Sequence, residues 1–545
     1  MSIDRTAGAP ATSSPQSAVR RLVVFTLLFA LVSIAANGLG ALLARLLGEK
    51  PAFAGEDVSS LAMALAFTLI GGPLAALLWW LVWRRAGVPA ERSALGWGLY
   101  VAAVYTVSLL MSATSLLMLG AQLARGEAFG WQSMLATGLV WGGVWAWHRW
   151  MWRHTRKGPT ALATVPVVVG AVIGLVLGAA NAIAVLNGVI DAAVREAGGA
   201  ASVGDPWWTF TLGSLVWAAG GALIWWWHWF PEGGRRLRGG FADVALVVTG
   251  ILAASFLALG GAGVVLFVLL RLAFDRTESL PVLLEPLAPG LAAGLVGALV
   301  WAYHRRAAAE RDEATRQAAR LVVSGVALAG AASGIGVVVN SLLALSAPPL
   351  AGADTRTLLL GGISSLVIGG PVWWLVWRPS AAAEPAGRRV YLVVVFGLSA
   401  VVALVTLLVI GFRLFEFLLD DVTGASLVER IRVPLGLLVA TGLVAAYHFA
   451  VWRRDRTELA AGLPERPHAI GHVFLVADGD PAALRRAVGD ATGARVTVWA
   501  RADAAPAGPG PDPAGLADAL SGVAGDRVLV VTGPDGRIDI IPLAP

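Results

Sequence analysis

The sequence predicts an all-α polytopic membrane protein of about twelve transmembrane helices, arranged as six parallel two-helix repeats, with a small α/β soluble domain at the C-terminus. Three observations predict this fold class. Of the 545 residues, 57% are hydrophobic and only 14% are charged, which excludes a water-soluble chain. Apolar runs long enough to cross a bilayer follow one another as far as residue 456. An aromatic and basic motif recurs along these runs.

The expected membrane domain, residues 20–456, follows a short polar tail. Residues 1–19 are too poor in apolar residues to fold alone, so we expect a flexible cytoplasmic tail. The first apolar run is longer than the core of a secretory signal and lacks a convincing cleavage site, which predicts a signal anchor. Long runs without alternation exclude a β-barrel and predict helices. The twelve expected spans are 22–47, 60–83, 96–122, 132–152, 162–190, 208–230, 242–270, 287–304, 321–346, 357–377, 390–412 and 433–452.

The second helix of each pair ends in an aromatic cluster followed by cationic residues. Examples are GGPLAALLWWLVWRR at 71–85 and GGPVWWLVWR at 369–378. Equivalent positions are spaced by 65 to 80 residues, which indicates a two-helix unit repeated six times in parallel orientation. These positions, expected to be interfacial aromatic or basic anchors, are Trp83, His148, His228, His304, Trp377 and His448. The expected repeats are 20–87, 91–157, 160–236, 237–312, 314–380 and 387–456.

Charge predicts the orientation of these helices. The side that carries the N-terminus and the junctions between repeats has more than twice as many Lys and Arg near helix ends as the other side. The positive-inside rule then places both termini in the cytoplasm, and we expect a bacterial cytoplasmic (inner) membrane. Most of the 23 Trp lie in the final turns of second helices, which is typical of an aromatic belt. The flanking arginines are expected to contact anionic lipid headgroups of the bilayer.

Asparagines are the candidate polar sites of the bundle. The chain has only four, Asn37, Asn181, Asn187 and Asn340, and all lie in the first helices of repeats one, three and five. An amide inside a helix bundle needs a hydrogen-bond partner, so each is a candidate for an interhelical contact. Two interpretations stay open, namely hydrogen bonds that hold helices together and a site for an uncharged solute or a cation.

Glycines indicate where helices approach each other closely. Gly170, Gly174 and Gly178 lie on the helix face that also carries Asn181, and the same spacing recurs at Gly290 with Gly294. Small residues at this spacing favour close helix packing. No acidic or basic residue lies in the middle of an expected span, which argues against a proton-coupled pump.

The four aligned histidines raise the question of a metal site. Metal ligation needs several convergent ligands, whereas each of these histidines lies beside Trp or Tyr with no cysteine or carboxylate in its cluster. We therefore predict no metal, cofactor-binding or catalytic residue, and we expect each imidazole in the headgroup zone, bonded to a lipid phosphate or a loop carbonyl. No arrangement typical of an enzyme is visible, so the chain is not expected to be one.

The composition changes abruptly after Arg456. A linker, 457–467, precedes an expected small cytoplasmic α/β domain at 468–545. Its pattern predicts a strand at 472–480, a helix that begins at Pro481, a strand at 495–502, a short helix and two strands around Gly533. No nucleotide-binding or catalytic motif occurs there, and turn and cap chemistry accounts for Asp478 and Asp480.

The motifs GGPLAALLWWLVWRR and GGPVWWLVWR resemble those of an uncharacterised family of bacterial multi-pass membrane proteins built from tandem copies of a domain of unknown function. In that family an arginine-led first helix is followed by a second helix that ends in a glycine-proline, aromatic and W-R pattern. The resemblance covers residues 20 to 456, is best in repeats one and five, and is weaker elsewhere because the glycine-glycine-proline element is missing. It implies an architecture and no activity.

Three functions are compatible with these features. The leading hypothesis is a structural or interaction protein of the cytoplasmic membrane, with a possible cytoplasmic partner of the C-terminal domain. A transporter or channel for a neutral solute or cation is the alternative, and a membrane sensor that signals through the C-terminal domain is a second one. The basic residues lie mainly at helix ends, so no nucleic acid partner is expected. The oligomeric state stays open.

Overall fold

A computed structural model gives the fold. It describes residues 15–48, 57–197, 206–275, 278–345, 355–377, 385–419, 426–462, 470–477, 482–500, 512–520, 523, 525–533 and 537–543. The chain divides into two compact units, Met1–Phe449 and Ala450–Pro545. The expected turn and cap acids Asp478 and Asp480, the expected helix start Pro481, and parts of the expected tail and linker lie outside the described residues.

Twelve long helices make up the part of the chain expected to be membrane-embedded, as far as it is described. They are α1 (Pro15–Leu46), α2 (Val58–Arg85), α3 (Leu95–Ala124), α4 (Trp131–Arg153), α5 (Val165–Ala197), α6 (Trp207–Trp229), α7 (Gly240–Phe274), α8 (Leu287–Ala309), α9 (Glu313–Ala344), α10 (Thr355–Val376), α11 (Pro385–Leu419) and α12 (Leu427–Gly462). A π-helical turn interrupts α2 at Phe67–Gly71 and α7 at Leu246–Ala253. Each expected span overlaps one of these helices.

Eleven of these helices are long and apolar enough to cross a membrane, as the expected multi-pass arrangement requires. The exception is α4, where a twelfth span was expected at 132–152. It is helical over 23 residues, but its last turns carry His148, Arg149 and Arg153, which lower its mean hydropathy. The sequence therefore predicted this helix correctly. It predicted twelve membrane spans, whereas eleven of the described helices are long and apolar enough to be one.

Two helices extend beyond the boundaries expected from the sequence. Helix α1 begins at Pro15, inside the expected flexible tail, because proline is favoured in the first turn of a helix. Helix α12 continues to Gly462 through most of the expected linker, since Glu458, Leu459 and the two alanines that follow favour helix. A side-chain cap defines the start of α9. The Asp312 side chain accepts a hydrogen bond from Thr315 N at 2.8 Å at the start of α9. Hydrogen bonding from the Thr315 side chain, and then from this backbone N–H, lowers the pKa of Asp312.

The helices pack in a regular pattern. Neighbours in sequence pack together as α1 with α2, α3 with α4, α5 with α6, α7 with α8 and α9 with α10. The first helices of the first four pairs also pack on the second helix of the following pair, giving α1 with α4, α3 with α6, α5 with α8 and α7 with α10. Helix α9 likewise packs on α12, the second helix of the following pair. Gly336 of α9 and Gly436 of α12 lie directly against each other at this contact.

Glycines lie at the closest approaches of these helices, as the sequence predicted. A Cβ placed on Gly174 would lie 2.7 Å from Trp225 Cα, and one on Gly221 would lie 2.6 Å from Gly178 Cα. The contact between α7 and α8 is similar, since a Cβ on Gly261 would lie 2.5 Å from Gly294 Cα. Real Cβ atoms do not occur at such distances, so these pairs depend on glycine.

The second unit contains a four-stranded sheet of β1 (Ile470–Ala477), β2 (Arg495–Ala500), β3 (Gly525–Thr532) and β4 (Ile538–Leu543). The strand order is β2-β1-β3-β4, with β1, β2 and β3 parallel and β4 antiparallel to β3. Two helices, α13 (Ala482–Thr492) and α14 (Pro513–Leu520), pack against each other. Their Leu484, Val488 and Leu516 join Leu475 and Val530 in the hydrophobic core. The predicted four-stranded α/β domain is confirmed.

Candidate functional site

The four histidines at equivalent positions of second helices share one geometry. His148, His228, His304 and His448 are all buried by protein. The Nδ1 atom of each lies 2.7 to 2.8 Å from the carbonyl oxygen of the residue four positions earlier in its own helix. This differs from the expected environment, because protein surrounds the imidazoles and a carbonyl of the same helix takes the place of a lipid phosphate or loop carbonyl.

Tyrosines complete the hydrogen bonding of two of these histidines. A carbonyl oxygen can only accept, so Nδ1 carries the proton, and Nε2 of the neutral ring is then an acceptor. Tyr100 Oη donates to His148 Nε2 at 3.0 Å and Tyr105 Oη donates to His228 Nε2 at 2.8 Å. Both tyrosines lie on α3, so one helix serves the histidines of α4 and α6.

The tyrosines were not singled out from the sequence, although their distribution is informative. The chain has only five, and each contacts one of the aligned histidines. The remaining three are Tyr303, Tyr391 and Tyr447. Their rarity and their positions one residue before His304 and His448, or near the start of a first helix, were the signal that could have identified them.

Tryptophans link second helices that are one expected repeat apart. Trp229 Nε1 donates to Tyr303 Oη at 2.8 Å, and Trp377 Nε1 donates to Tyr447 Oη at 2.9 Å. In the first pair of repeats the indole of Trp79 lies 3.0 Å from the sulfur of Met151. The anchor Trp83 is half-buried and has the ammonium of Lys157 4.7 Å from its ring centroid. Part of the tryptophan excess thus serves contacts inside the protein.

Ion pairs occur at the same ends of the helices. The Glu232 side chain, only 1% exposed, pairs with Arg149 at 2.7 Å and also with Arg153. Asp243 and Arg311, both buried, pair at 3.1 Å. Arg21 makes two hydrogen bonds of 3.0 Å to Glu91. The pairs of Glu232 and the pair of Arg21 with Glu91 join successive expected repeats, whereas Asp243 and Arg311 lie at the two ends of one repeat. These charges therefore have a packing role in addition to any effect on orientation.

The four candidate asparagines do not share one environment. Asn340 Oδ1 accepts a hydrogen bond of 3.4 Å from Arg432 of α12, which is the kind of interhelical contact expected. Asn181 donates to Leu177 O of its own helix at 2.9 Å. Asn37 is exposed and Asn187 is half-buried. Their helices α1, α5 and α9 have their main contacts with other helices, so the described structure gives no support to a shared pathway.

The C-terminal sheet has one face that carries both helices and one face that no described element covers. The strand register places three rows of side chains on this open face. The first row contains Arg495, His472, Arg527 and Leu543. The second contains Thr497, Phe474, Leu529 and Ile541, and the third contains Trp499, Val476, Val531 and Asp539.

Aromatic contacts give the open face a defined shape. The rings of His472 and Phe474 stack with centroids 4.4 Å apart, and Phe474 lies 5.2 Å from Trp499. His472 Nε2 also lies 2.8 Å from Thr497 Oγ1. Trp499 stays 54% exposed and Ile541 46% exposed. The open face therefore has a preordered aromatic centre, a basic edge, and at the opposite edge the ion pair of Asp539 with Arg537 at 3.1 Å.

The fold is mostly helical, with eleven described helices that are long and apolar enough to cross a membrane, and it includes a small α/β unit. The family described as "Domain of unknown function (DUF5671)" matches residues 317–443, which begin in α9 and end in α12. This stretch falls within the fifth and sixth expected repeats, so the sequence resemblance to a domain of unknown function is confirmed for that part of the chain. No curated protein and no solved structure matches the chain.

Proposed function

We propose that this chain is an interaction protein of the bacterial cytoplasmic membrane. Its helices would form six parallel two-helix units that anchor the C-terminal domain at the cytoplasmic surface. The open face of the C-terminal sheet would bind an acidic, partly apolar segment of a cytoplasmic protein. The observation that carries this proposal is the open face itself, with its ordered aromatic centre and charged edges.

The packing of the helices supports the repeated units. In every case from α1 to α10, a first helix packs on its own second helix and on the second helix of the next pair. Equivalent hydrogen bonds recur at separations of one unit, 74 residues for Trp229 with Tyr303 and 70 residues for Trp377 with Tyr447. A stack of similar units in which each contacts its neighbours is the typical arrangement of repeat proteins.

The composition of the open face favours a protein partner over a membrane. A protein interface typically has an apolar and aromatic centre with a polar rim. Here Phe474, Leu529 and Ile541 lie at the centre, Arg495 and Arg527 lie at one edge, and the ion pair of Asp539 with Arg537 lies at the other. The two arginines favour acidic residues in the partner.

Site-specific photocrosslinking in living bacteria tests this role with the full chain. A photoreactive residue in place of Trp499 is expected to give a discrete adduct with another protein, whereas one in place of Arg486, on the exposed side of α13, should give none. The charge-reversal pair Arg495→Glu and Arg527→Glu should remove the adduct, and Arg485→Glu should leave it unchanged because Arg485 lies on α13.

Other results would overturn the proposal. An adduct of twice the chain mass identifies a second copy as the occupant, and transfer of the crosslink to lipid identifies the membrane. Equal adducts from Trp499 and Arg486 indicate collision without a specific site. The absence of any adduct from Trp499 in chains that reach the membrane also contradicts the proposed partner.

A further inference from the structure

A cavity of about 200 Å3 opens between the first turns of α1 and the last turns of α2. Its buried part is formed by Phe25, Ala86 and Trp97, while Arg20 and Arg85 are exposed at its edge. One buried water needs only about 15 Å3. The space is therefore suited to a polyatomic group that enters from the surface.

The charges around this cavity favour an anion. Arg21 is occupied by Glu91, to which it makes two hydrogen bonds of 3.0 Å. Within the described residues, no ion pair engages Arg20 or Arg85. The cavity thus has two guanidinium groups in excess. Guanidinium is planar and presents paired N–H donors, which match the oxygens of a phosphate group.

An apolar stripe leads away from the cavity along α2. Leu81 lines the cavity and is 43% exposed, and it is followed at helical spacing by the exposed Leu77 and Leu74. On the facing helix, Val24 lines the cavity. An inorganic anion would make no use of this stripe, whereas an acyl chain would lie against it. The combination of two free cations with an adjoining apolar surface distinguishes a lipid from a soluble phosphate.

We infer that this cavity binds the phosphate group of an anionic glycerophospholipid. Arg20 and Arg85 hold the phosphate oxygens, the headgroup fills the cavity between α1 and α2, and an acyl chain follows Leu81, Leu77 and Leu74. Basic pockets of this kind between membrane helices bind acidic headgroups. A glycerophospholipid and inorganic phosphate both offer phosphate oxygens to the two arginines. Only the lipid also has an acyl chain that can lie along the apolar stripe.

Native mass spectrometry of the purified full-length protein tests this inference. Delipidated protein is titrated with phosphatidylglycerol, with phosphatidylcholine and with inorganic phosphate. Phosphatidylglycerol should bind most tightly, and the double variant Arg20→Gln/Arg85→Gln should weaken its first binding event roughly 30-fold, about fivefold for each arginine. Arg85→Lys keeps the charge and should recover part of the affinity.

The matched control is Arg84→Gln/Arg305→Gln. It removes two guanidinium groups from equivalent helix ends outside the cavity, where they lie 4.6 Å above the rings of Trp80 and Trp301. This variant should retain most of the binding. Equal losses in the two double variants would reduce the effect to general surface charge and overturn the site. Binding of inorganic phosphate as tight as that of the lipid would assign the cavity to a soluble anion, and equal binding of phosphatidylcholine would remove the role of charge.

A second measurement does not depend on the arginine variants. The chain has no cysteine, so Leu81→Cys introduces a single thiol at the cavity. Phosphatidylglycerol should slow its labelling by maleimide several-fold compared with phosphatidylcholine. Leu299→Cys, an exposed apolar position on α8, should label at the same rate in both lipids. Equal rates at position 81 in both lipids would contradict the inference.

Discussion

At the scale of single residues, the aligned histidines act as structural hydrogen-bonding groups. Each uses Nδ1 within its own helix, which leaves Nε2 for a neighbouring helix. Helix α7 approaches His304 of α8 very closely at Gly250, because a Cβ on this glycine would lie 2.6 Å from His304 Cγ. A larger residue on the neighbouring helix would displace the ring. In His148 and His228 the imidazole is thus a short polar connection between two helices, whereas Nε2 of His448 has no hydrogen-bond partner within the described residues.

The contact between Tyr105 and His228 can be measured by a double-mutant cycle. Tyr105→Phe removes the donor and leaves His228 Nε2 without its partner, so we expect a loss of about 0.6 to 1.7 kcal/mol in unfolding free energy. His228→Phe should cost a similar amount, and the double variant should cost less than the two together. Unfolding in mixed micelles followed by Trp fluorescence gives the values. Strictly additive losses would show that the two side chains do not interact.

The buried carboxylate of Glu232 provides a second prediction at this scale. Glu232→Gln leaves Arg149 and Arg153 without their counter-charge, so we expect a loss of at least about 2 kcal/mol. The loss of stability would be larger if the arginines were fully buried, but Arg149 and Arg153 are partly exposed. The control is Glu127→Gln, because Glu127 is 53% exposed beside Arg125 and should change stability by less than about 1 kcal/mol. Equal effects of the two variants would contradict the structural role of Glu232.

At the scale of helices, close packing depends on which face each glycine occupies. Gly261 lies against Gly294 of α8, whereas a Cβ on its neighbour Gly260 would meet nothing within 4 Å. The two positions therefore differ in packing while they share a helix. Gly261→Ala should destabilise the protein because α7 and α8 must separate. Gly260→Ala should be neutral or stabilising by up to about 1 kcal/mol, since alanine favours helix. Thermal unfolding of both variants checks this, and effects of the same sign would contradict it.

The sequence predicted the helices better than their contacts. Hydropathy is a local property, so all twelve expected spans coincide with helices, and the glycine spacing identified the face of α5 that meets α6. The environment of His228 was predicted wrongly because its partner, Tyr105, is 123 residues away and lies in another expected repeat. Asn37 and Asn340 look equivalent in the sequence, yet only the second meets a facing side chain, Arg432. Such differences depend on the rotation of each helix in the bundle.

At the scale of the whole molecule, the orientation of the helices is the first quantity to measure. The excess of Lys and Arg at the junctions predicts that both termini face the cytoplasm. A reporter fused after Arg238 should therefore be active only in its cytoplasmic form, and one fused after Ala54 only in its periplasmic form. Alkaline phosphatase and a fluorescent protein provide the two readouts. A periplasmic signal after Arg238 would reverse the predicted orientation.

The second unit should fold by itself, because its hydrophobic core is contributed by its own strands and helices. Val473, Leu475, Val528 and Val530 are fully buried without any residue from the membrane helices. A fragment of residues 463–545 contains a single tryptophan, Trp499, whose fluorescence reports on the open face. We expect one cooperative urea transition with an m-value of about 1 kcal/mol/M. Val530→Asp places a charge in the core and should abolish the transition, whereas Arg486→Ser, on the exposed side of α13, should not. A gradual change in the unmodified fragment would mean that the sheet depends on the membrane helices for its stability.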